Sequence, residues 1–198
     1  MSLIALILWL QMQLGFDGGG GIVHRVPVSR TNMLEGVFQQ RKGEKRQPGP
    51  HAYGGFLLRY KYDTRRFIES GAHLLFYQIG IEQRRESFWM VAVPIRWGTQ
   101  IDTSSRWSLW GGIRGVVLLS AKSLPDSARV YRFRDYFNRS QLQLQVGLER
   151  AFAEKWTLGV QISWDLAPAW DRVLFQDSRT LAHHLMLAPC IRYFAWRL

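Results

Sequence analysis

The sequence is poor in cysteine, in acidic residues and in long apolar runs. Cys190 is the single cysteine, so no disulfide can form within the chain. No stretch approaches the roughly 20 apolar residues that a membrane-spanning helix needs. Asp and Glu number 15 against 26 Lys and Arg, which gives a net charge of +11 and favours anionic partners. The sequence therefore predicts neither a disulfide-stapled domain nor a helical membrane protein.

Apolar and polar residues alternate along most of the chain, with a period of two residues that is typical of β-strands. In the clearest run, Leu142 to Leu148 places leucine and valine on one face, and glutamine and glycine on the other. The connections between such runs alternate roughly between long and short, as in an up-and-down barrel. The sequence predicts one all-β domain over residues 1–198, a closed antiparallel transmembrane β-barrel of about eight strands.

The start of the chain has two interpretations, and a long loop is predicted to follow it. Residues 1–17 are either a first strand, because residues 10–17 alternate strictly, or a residual signal segment. Residues 3–10 form a short apolar run, but no basic residue precedes it and no small-residue cleavage site follows it. Residues 18–50 are rich in glycine and charge and are predicted to form a long polar loop.

The composition of the polar face favours a lumen over a water-exposed surface. It carries Gln, Gly and Ser with scattered charges of both signs, whereas a solvated face would carry more Lys and Glu. Eight strands leave an interior that side chains can fill. Buried charges must pair, so we expect a network of ion pairs in the lumen. The predicted members are Arg59, Glu69, Arg96, Arg114, Glu149, Asp165 and Arg192.

Five tryptophans fall near strand ends on the apolar face, where a membrane barrel carries aromatic girdles. They are Trp89, Trp97, Trp107, Trp156 and Trp164. The same alternation also fits a soluble lipocalin-like ligand-binding barrel, in which the apolar face and these tryptophans would point inward. Alternation alone leaves that alternative open.

Several ordered motifs between residues 52 and 196 carry a resemblance to a known family. In chain order they are Gly54–Tyr60, the pair Phe67–Gly71 and Tyr77–Gly80, Val91–Ile95, the pair Trp110–Gly112 and Leu118–Lys122, and Val146–Glu149. In their order and spacing they resemble the small porin-like outer-membrane β-barrels common in Bacteroidetes bacteria. The resemblance implies export to the bacterial outer membrane and a closed barrel, and it implies little about activity.

A segment in which arginine and aromatic residues interleave, 129–139, is the best candidate for contact with a partner. Such a surface can hold phosphates, and at an outer membrane these would be lipopolysaccharide phosphates. The predicted contacts are Arg129, Tyr131, Arg132, Arg134 and Tyr136. Nucleic acid would suit the same charge, but the membrane context favours lipid.

No motif predicts catalysis, a cofactor or a metal site. His183 and His184 are adjacent in a predicted strand, so their side chains point to opposite faces and cannot chelate together. Asp165 and His184 could meet at one rim, without a third group to complete a catalytic set. We therefore expect a monomeric, non-enzymatic barrel with a structural or surface-interaction role and a lumen filled by paired polar side chains. A narrow passive porin-like channel is the alternative.

Overall fold

The computed structural model describes residues 12–28, 46–81, 84–102, 106–124, 140–166 and 181–197. This part of the chain contains nine β-strands, and no helix in it is long and apolar enough to cross a membrane. The strands are β1 (Met12–Val28), β2 (Arg46–Gln47), β3 (Gly49–Lys61), β4 (Arg66–Ile81), β5 (Arg84–Gln100), β6 (Trp107–Leu124), β7 (Ser140–Ala151), β8 (Trp156–Asp165) and β9 (Leu181–Arg197).

Eight of these strands close into an antiparallel barrel, and the two-residue β2 pairs with the end of β4. Each barrel strand pairs with its neighbours in sequence, and β1 closes the ring by pairing with β9 on its other side. The predicted fold class is therefore confirmed. Full closure leaves no unpaired edge among the eight strands, which is the condition for strands to cross a bilayer.

The stagger of the strands follows from the pairing register. A row of paired residues that starts at Arg59 passes through every strand and returns to β3 at Gly49, ten positions earlier in the chain. Such a shear tilts the strands by roughly 35–45° from the barrel axis. Residues far apart in sequence are thereby brought to one height in the lumen.

The two ends of the barrel differ in their connections. One end, the short-turn end, carries the connections 62–65, 101–106 and 152–155. The other, the long-loop end, carries the connections 125–139 and 166–180, the chain between β1 and β2, and the two residues between β4 and β5. In outer-membrane barrels the short turns face the periplasm and the longer loops face the cell exterior.

The predicted polar loop over residues 18–50 is wrong at both of its ends. Residues 18–28 belong to β1, and β2 and the start of β3 occupy 46–47 and 49–50. The run of glycines extends the strand because β1 lies very close to its neighbours. A Cβ at Gly19 would come within 2.6 Å of both the carbonyl oxygen of Pro189 and the ring of Tyr53. Glycine therefore marks a tight approach rather than a flexible loop.

The apolar face of the barrel points outward. Val93 and Trp97, for example, remain 49% and 56% exposed although they lie within a long strand. Each barrel strand contributes exposed apolar side chains, among them Phe16, Phe56, Leu74, Val93, Val117, Val146, Ile162 and Ile191. This outer surface suits hydrocarbon and not water, so the barrel is a bilayer-spanning one and belongs in the outer membrane. The soluble barrel, which needs these faces inside, is excluded.

The five predicted girdle tryptophans are all partly exposed on the outer face. Trp97, Trp107 and Trp156 lie near the short turns, and Trp156 packs on Tyr193 with ring centroids 4.6 Å apart. Toward the long-loop end, Trp89 packs on Phe76 at 4.7 Å. Aromatic side chains at both ends of an apolar belt are the arrangement expected at two membrane interfaces.

Candidate functional site in the barrel lumen

The lumen is lined by the inward-facing residue of each alternating pair, and many of these side chains are polar. All seven members of the predicted charge network are buried inside the barrel. Beyond these seven, the lumen also contains the buried side chains of Asp17, His51, Tyr53, His73, Tyr77, Gln143, Gln145 and His184. The lumen is consequently a polar interior enclosed by an apolar wall.

Four of the charged side chains form a closed ring across the short-turn half of the lumen. Arg59 donates from Nε to Glu69 Oε1 at 2.5 Å and from Nη2 to Glu149 Oε1 at 2.6 Å. Arg192 completes the ring from the other side, with Nη1 donating to Glu149 Oε2 at 2.5 Å and to Glu69 Oε2 at 3.2 Å. Each carboxylate thus lies between two guanidinium groups, and each guanidinium between two carboxylates.

The members of this ion-pair ring come from strands β3, β4, β7 and β9. Arg59 and Glu149 are 90 positions apart in the sequence, and their strands are not neighbours in the sheet. The contact therefore runs through the lumen and not along the wall. The ring therefore links four strands across the interior of the barrel.

A fifth and a sixth charge extend the ring. Arg96 Nη1 donates to Asp17 Oδ2 at 2.7 Å and lies 3.9 Å from Glu69 Oε2. Tyr53 donates its hydroxyl to Asp17 Oδ1 at 3.1 Å. Asp17 was absent from the predicted network, although it follows Gln13 and Gly15 on the polar face of the first strand. That alternation was the signal that could have found it.

Aromatic rings cover the faces of these guanidinium groups. The Trp110 ring lies between Arg96 and Arg192, with Cζ-to-centroid distances of 4.5 and 4.7 Å. The ring of Phe67 lies 4.1 Å and that of Phe194 4.4 Å from Arg59 Cζ. Opposite Trp110 is Gly147, where a Cβ would overlap the indole. The planar cations are held by both charge and packing, and little room is left between them.

The long-loop half of the lumen has a different composition. It contains a buried apolar cluster that includes Val23, Leu75, Ile79, Phe88, Met90, Leu118 and Met186. Among these lie Tyr77 and His184, whose rings are 5.1 Å apart. Asp165 accepts hydrogen bonds from the His184 backbone nitrogen at 3.0 Å and from Gln143 at 2.7 Å, and its Oδ2 is 2.7 Å from His184 Nδ1.

The predicted network is wrong in one respect, the pairing of Arg114. Its Nε donates to Gln143 Oε1 at 2.7 Å, and its Nη2 lies 3.8 Å from the sulfur of Met186. Within the described residues no carboxylate oxygen lies within 4.0 Å of its nitrogens. Gln143 stands between Arg114 and Asp165, since it also donates to Asp165. The side-chain amide of Gln143 therefore lies where a direct ion pair between Arg114 and Asp165 would form.

The predicted lipid-contact residues Arg129, Tyr131, Arg132, Arg134 and Tyr136 lie outside the described residues. Asp165 and His184 meet as the sequence suggested, inside the lumen near the long-loop end. In the described part of the chain, no group of three or more His, Cys, Asp or Glu side chains is placed to hold a metal ion. The contacts that the structure shows in the lumen are ion pairs and hydrogen bonds.

Several solved outer-membrane proteins have similar structures. Neisserial surface protein A aligns with 93% of this chain and 97% of its own, at 8% identity and a TM-score of 0.54. OprG from Pseudomonas aeruginosa covers 95% of this chain and all of its own at 10% identity and a TM-score of 0.45. Ail, the attachment invasion locus protein of Yersinia pestis, aligns with 92% of this chain and 99% of its own, at 12% identity and a TM-score of 0.42. No family model and no curated protein sequence matches the chain.

At such low identity these likenesses concern the fold. The alignment with Neisserial surface protein A supports a small closed outer-membrane barrel. This agrees with what the closed sheet, the apolar outer belt and the charged lumen indicate on physical grounds.

Proposed function

We propose that this protein is a sealed outer-membrane barrel that acts through its cell-surface end and does not conduct solutes. The observation that carries the proposal is the ion-pair ring of Arg59, Glu69, Glu149 and Arg192 across the lumen. An ion or solute passing through would have to separate buried charges that are each held by two partners, which costs several kcal/mol. We propose further that the chain is monomeric, has no catalytic activity, and comes from the Bacteroidetes family it resembles.

Conductance across a planar lipid bilayer tests whether the lumen is sealed. We expect the purified wild-type barrel to insert without producing steady current steps. A heat-modifiability gel on the same preparation checks that the inserted protein is folded, because a closed barrel migrates differently before and after boiling. Steady ohmic steps from folded protein would contradict the proposal and favour the narrow passive channel.

The surface role is proposed to be contact with lipopolysaccharide phosphates through the segment that joins β6 to β7. The support is chemical, because this segment combines three guanidinium groups with two phenol groups: Arg129, Tyr131, Arg132, Arg134 and Tyr136. Guanidinium groups bind phosphate with two parallel hydrogen bonds. The segment joins the strands at the long-loop end, which faces the cell exterior in barrels of this kind.

Lipopolysaccharide retention by purified variants tests this contact. The double variant Arg132→Glu, Arg134→Glu should retain several-fold less lipopolysaccharide than the wild type. The matched control is Arg65→Glu, Arg66→Glu, which places the same charge change at the short-turn end. Equal retention by both variants would show that the segment does not hold the lipid.

A further inference from the structure

The outer wall of the barrel changes from apolar to polar just beyond the aromatic residues of the long-loop end. Phe76 and Trp89 pair in register on β4 and β5 and pack on each other outside the barrel. The next outward-facing pair on these strands is Gln78 and Ser87, roughly 7 Å further along. Because aromatic belts mark the membrane interface, these polar side chains lie at the depth of the lipid headgroups.

A β-bulge in β6 interrupts the alternation of this strand at the same height. Met90 of β5 pairs with Leu118, and Trp89 pairs with Ser120, so Leu119 is an extra residue of β6. Leu118 is buried in the lumen, whereas Leu119 is 46% exposed on the outer face. The residues of β6 that follow the bulge therefore change sides relative to those that precede it.

The change of side places Lys122 outside the barrel. In an uninterrupted strand, Lys122 would share the inner face with Leu118, from which it is four residues distant. Beyond the bulge it is Ala121 that packs against the buried cluster of the lumen. Lys122 instead pairs with Ser87 and is exposed.

A second cation, Arg85, lies diagonally across from Lys122 on the same outer surface. Arg85 is two positions from Ser87 on β5 and is also exposed. Diagonal neighbours on one face of a sheet are about 7–8 Å apart, which long side chains can span. Neither cation forms an ion pair with another described residue. Glu86, the carboxylate between Arg85 and Ser87, is 6% exposed and belongs to the inner face.

We propose that Arg85 and Lys122 bind a phosphate group of lipid A, the membrane anchor of lipopolysaccharide, on the outer wall of the barrel. The long-loop end faces the cell exterior in barrels of this kind, so a lipid at this depth belongs to the outer leaflet. The guanidinium and ammonium groups hold the phosphate, and the Ser87 hydroxyl beside them donates a further hydrogen bond. The acyl chains lie along the exposed side chains of Trp89 and Leu119.

The site deepens the proposed contact with lipopolysaccharide, on which the identity of the lipid rests. It assigns a phosphate to side chains that the strands hold in place, in addition to the segment that joins β6 to β7. A phosphate above and acyl chains below distinguish a lipid from a free anion, because only a lipid uses both the polar and the apolar part of this wall.

Binding of lipid A to the full-length barrel in detergent micelles tests the site. The probes are lipid A with both phosphates and lipid A without them, and native mass spectrometry counts the molecules bound. We expect the double variant Arg85→Gln, Lys122→Gln to bind phosphorylated lipid A roughly tenfold more weakly than the wild type, because charge-assisted hydrogen bonds are lost. Without its phosphates, lipid A should bind equally to both proteins.

The matched control is Arg65→Gln, Arg66→Gln, which removes two exposed arginines from the short-turn end. This control should bind phosphorylated lipid A as the wild type does. Equal binding by the wild type and by Arg85→Gln, Lys122→Gln would overturn the proposal, and so would an equal loss in the control. A heat-modifiability gel checks that each variant is folded.

The variant Arg132→Glu, Arg134→Glu in the same assay separates this site from the segment that joins β6 to β7. If only Arg85→Gln, Lys122→Gln loses binding, the wall holds the phosphate and the segment does not. If only Arg132→Glu, Arg134→Glu loses binding, the site on the wall is overturned while the proposed surface contact stands. Losses in both variants would support both contacts.

Exchange of two adjacent residues tests the role of the bulge. The variant Ala121→Lys, Lys122→Ala keeps the net charge but moves the ammonium group to the inner face. We expect it to bind phosphorylated lipid A several-fold more weakly than the wild type. Undiminished binding by the folded variant would show that the outward position of Lys122 is irrelevant, and would contradict its role in the site.

Discussion

Buried charges have different kinds of partner in the two halves of the lumen. In the short-turn half, Glu69 and Glu149 each lie between Arg59 and Arg192, and aromatic rings cover the cations. In the long-loop half, apolar side chains dominate, and Arg114 is satisfied only by an amide and a thioether. In the first half each ring carboxylate has two guanidinium partners, whereas in the second no carboxylate oxygen of the described residues lies within 4.0 Å of the Arg114 nitrogens.

The difference teaches that one small lumen can compensate buried charge in two ways. In the short-turn half a reciprocal ring of charges links four strands across the interior. In the long-loop half the Arg114 guanidinium is held by a neutral amide and a thioether.

The largest effect is expected from breaking the ring. Glu149→Gln removes the charge that both Arg59 and Arg192 contact and leaves two buried cations with one carboxylate fewer. We expect the free energy of unfolding to fall by roughly 3–5 kcal/mol. This loss is measured by urea titration of the refolded wild type and variant in lipid vesicles, followed by tryptophan fluorescence.

Glu154→Gln is the matched control for that variant, because it makes the same chemical change in an exposed turn. Its free energy of unfolding should stay within about 0.5 kcal/mol of the wild type. Similar losses in both variants would mean that the ring contributes no more than a surface charge.

An intermediate effect is expected from crowding the aromatic face of the short-turn half. A Cβ at Gly147 would overlap the Trp110 ring, so Gly147→Ala forces the indole away from Arg96 and Arg192. We expect a loss of about 1–3 kcal/mol in the same urea titration. At Gly54 an added Cβ meets nothing within 4 Å, so Gly54→Ala should be neutral or slightly stabilising.

The smallest effect is expected in the long-loop half. Arg114→Met removes a buried cation that has no direct carboxylate partner among the described residues, so the change in unfolding free energy should be within about 1 kcal/mol or favourable. Arg192→Met, which strips Glu69 and Glu149 of a partner, should cost roughly 3–5 kcal/mol under the same conditions. Equal losses of unfolding free energy in Arg114→Met and Arg192→Met would contradict the difference between the two halves of the lumen.

Local sequence features predicted a large part of this structure. Alternation with a period of two assigned the faces, because successive side chains of a strand point to opposite sides whatever the strand pairs with. It placed Arg59, Glu69 and Arg192 inside and Trp97 and Trp156 outside, as observed. The extent of β1 could not be predicted in this way, since four consecutive glycines carry no alternation and resemble a loop.

The sequence by itself therefore determined most of the strands, their inner and outer faces and the short connections, all of which depend on neighbouring residues. Only the tertiary structure decided which charges meet. The contact between Arg59 and Glu149 depends on a stagger that all eight strand pairings set together. The same stagger places Gln143, and not a carboxylate, beside Arg114. The stagger is a property of the closed barrel and cannot be obtained from any one strand. For that reason the side-chain pairing inside the lumen could not be predicted from the sequence.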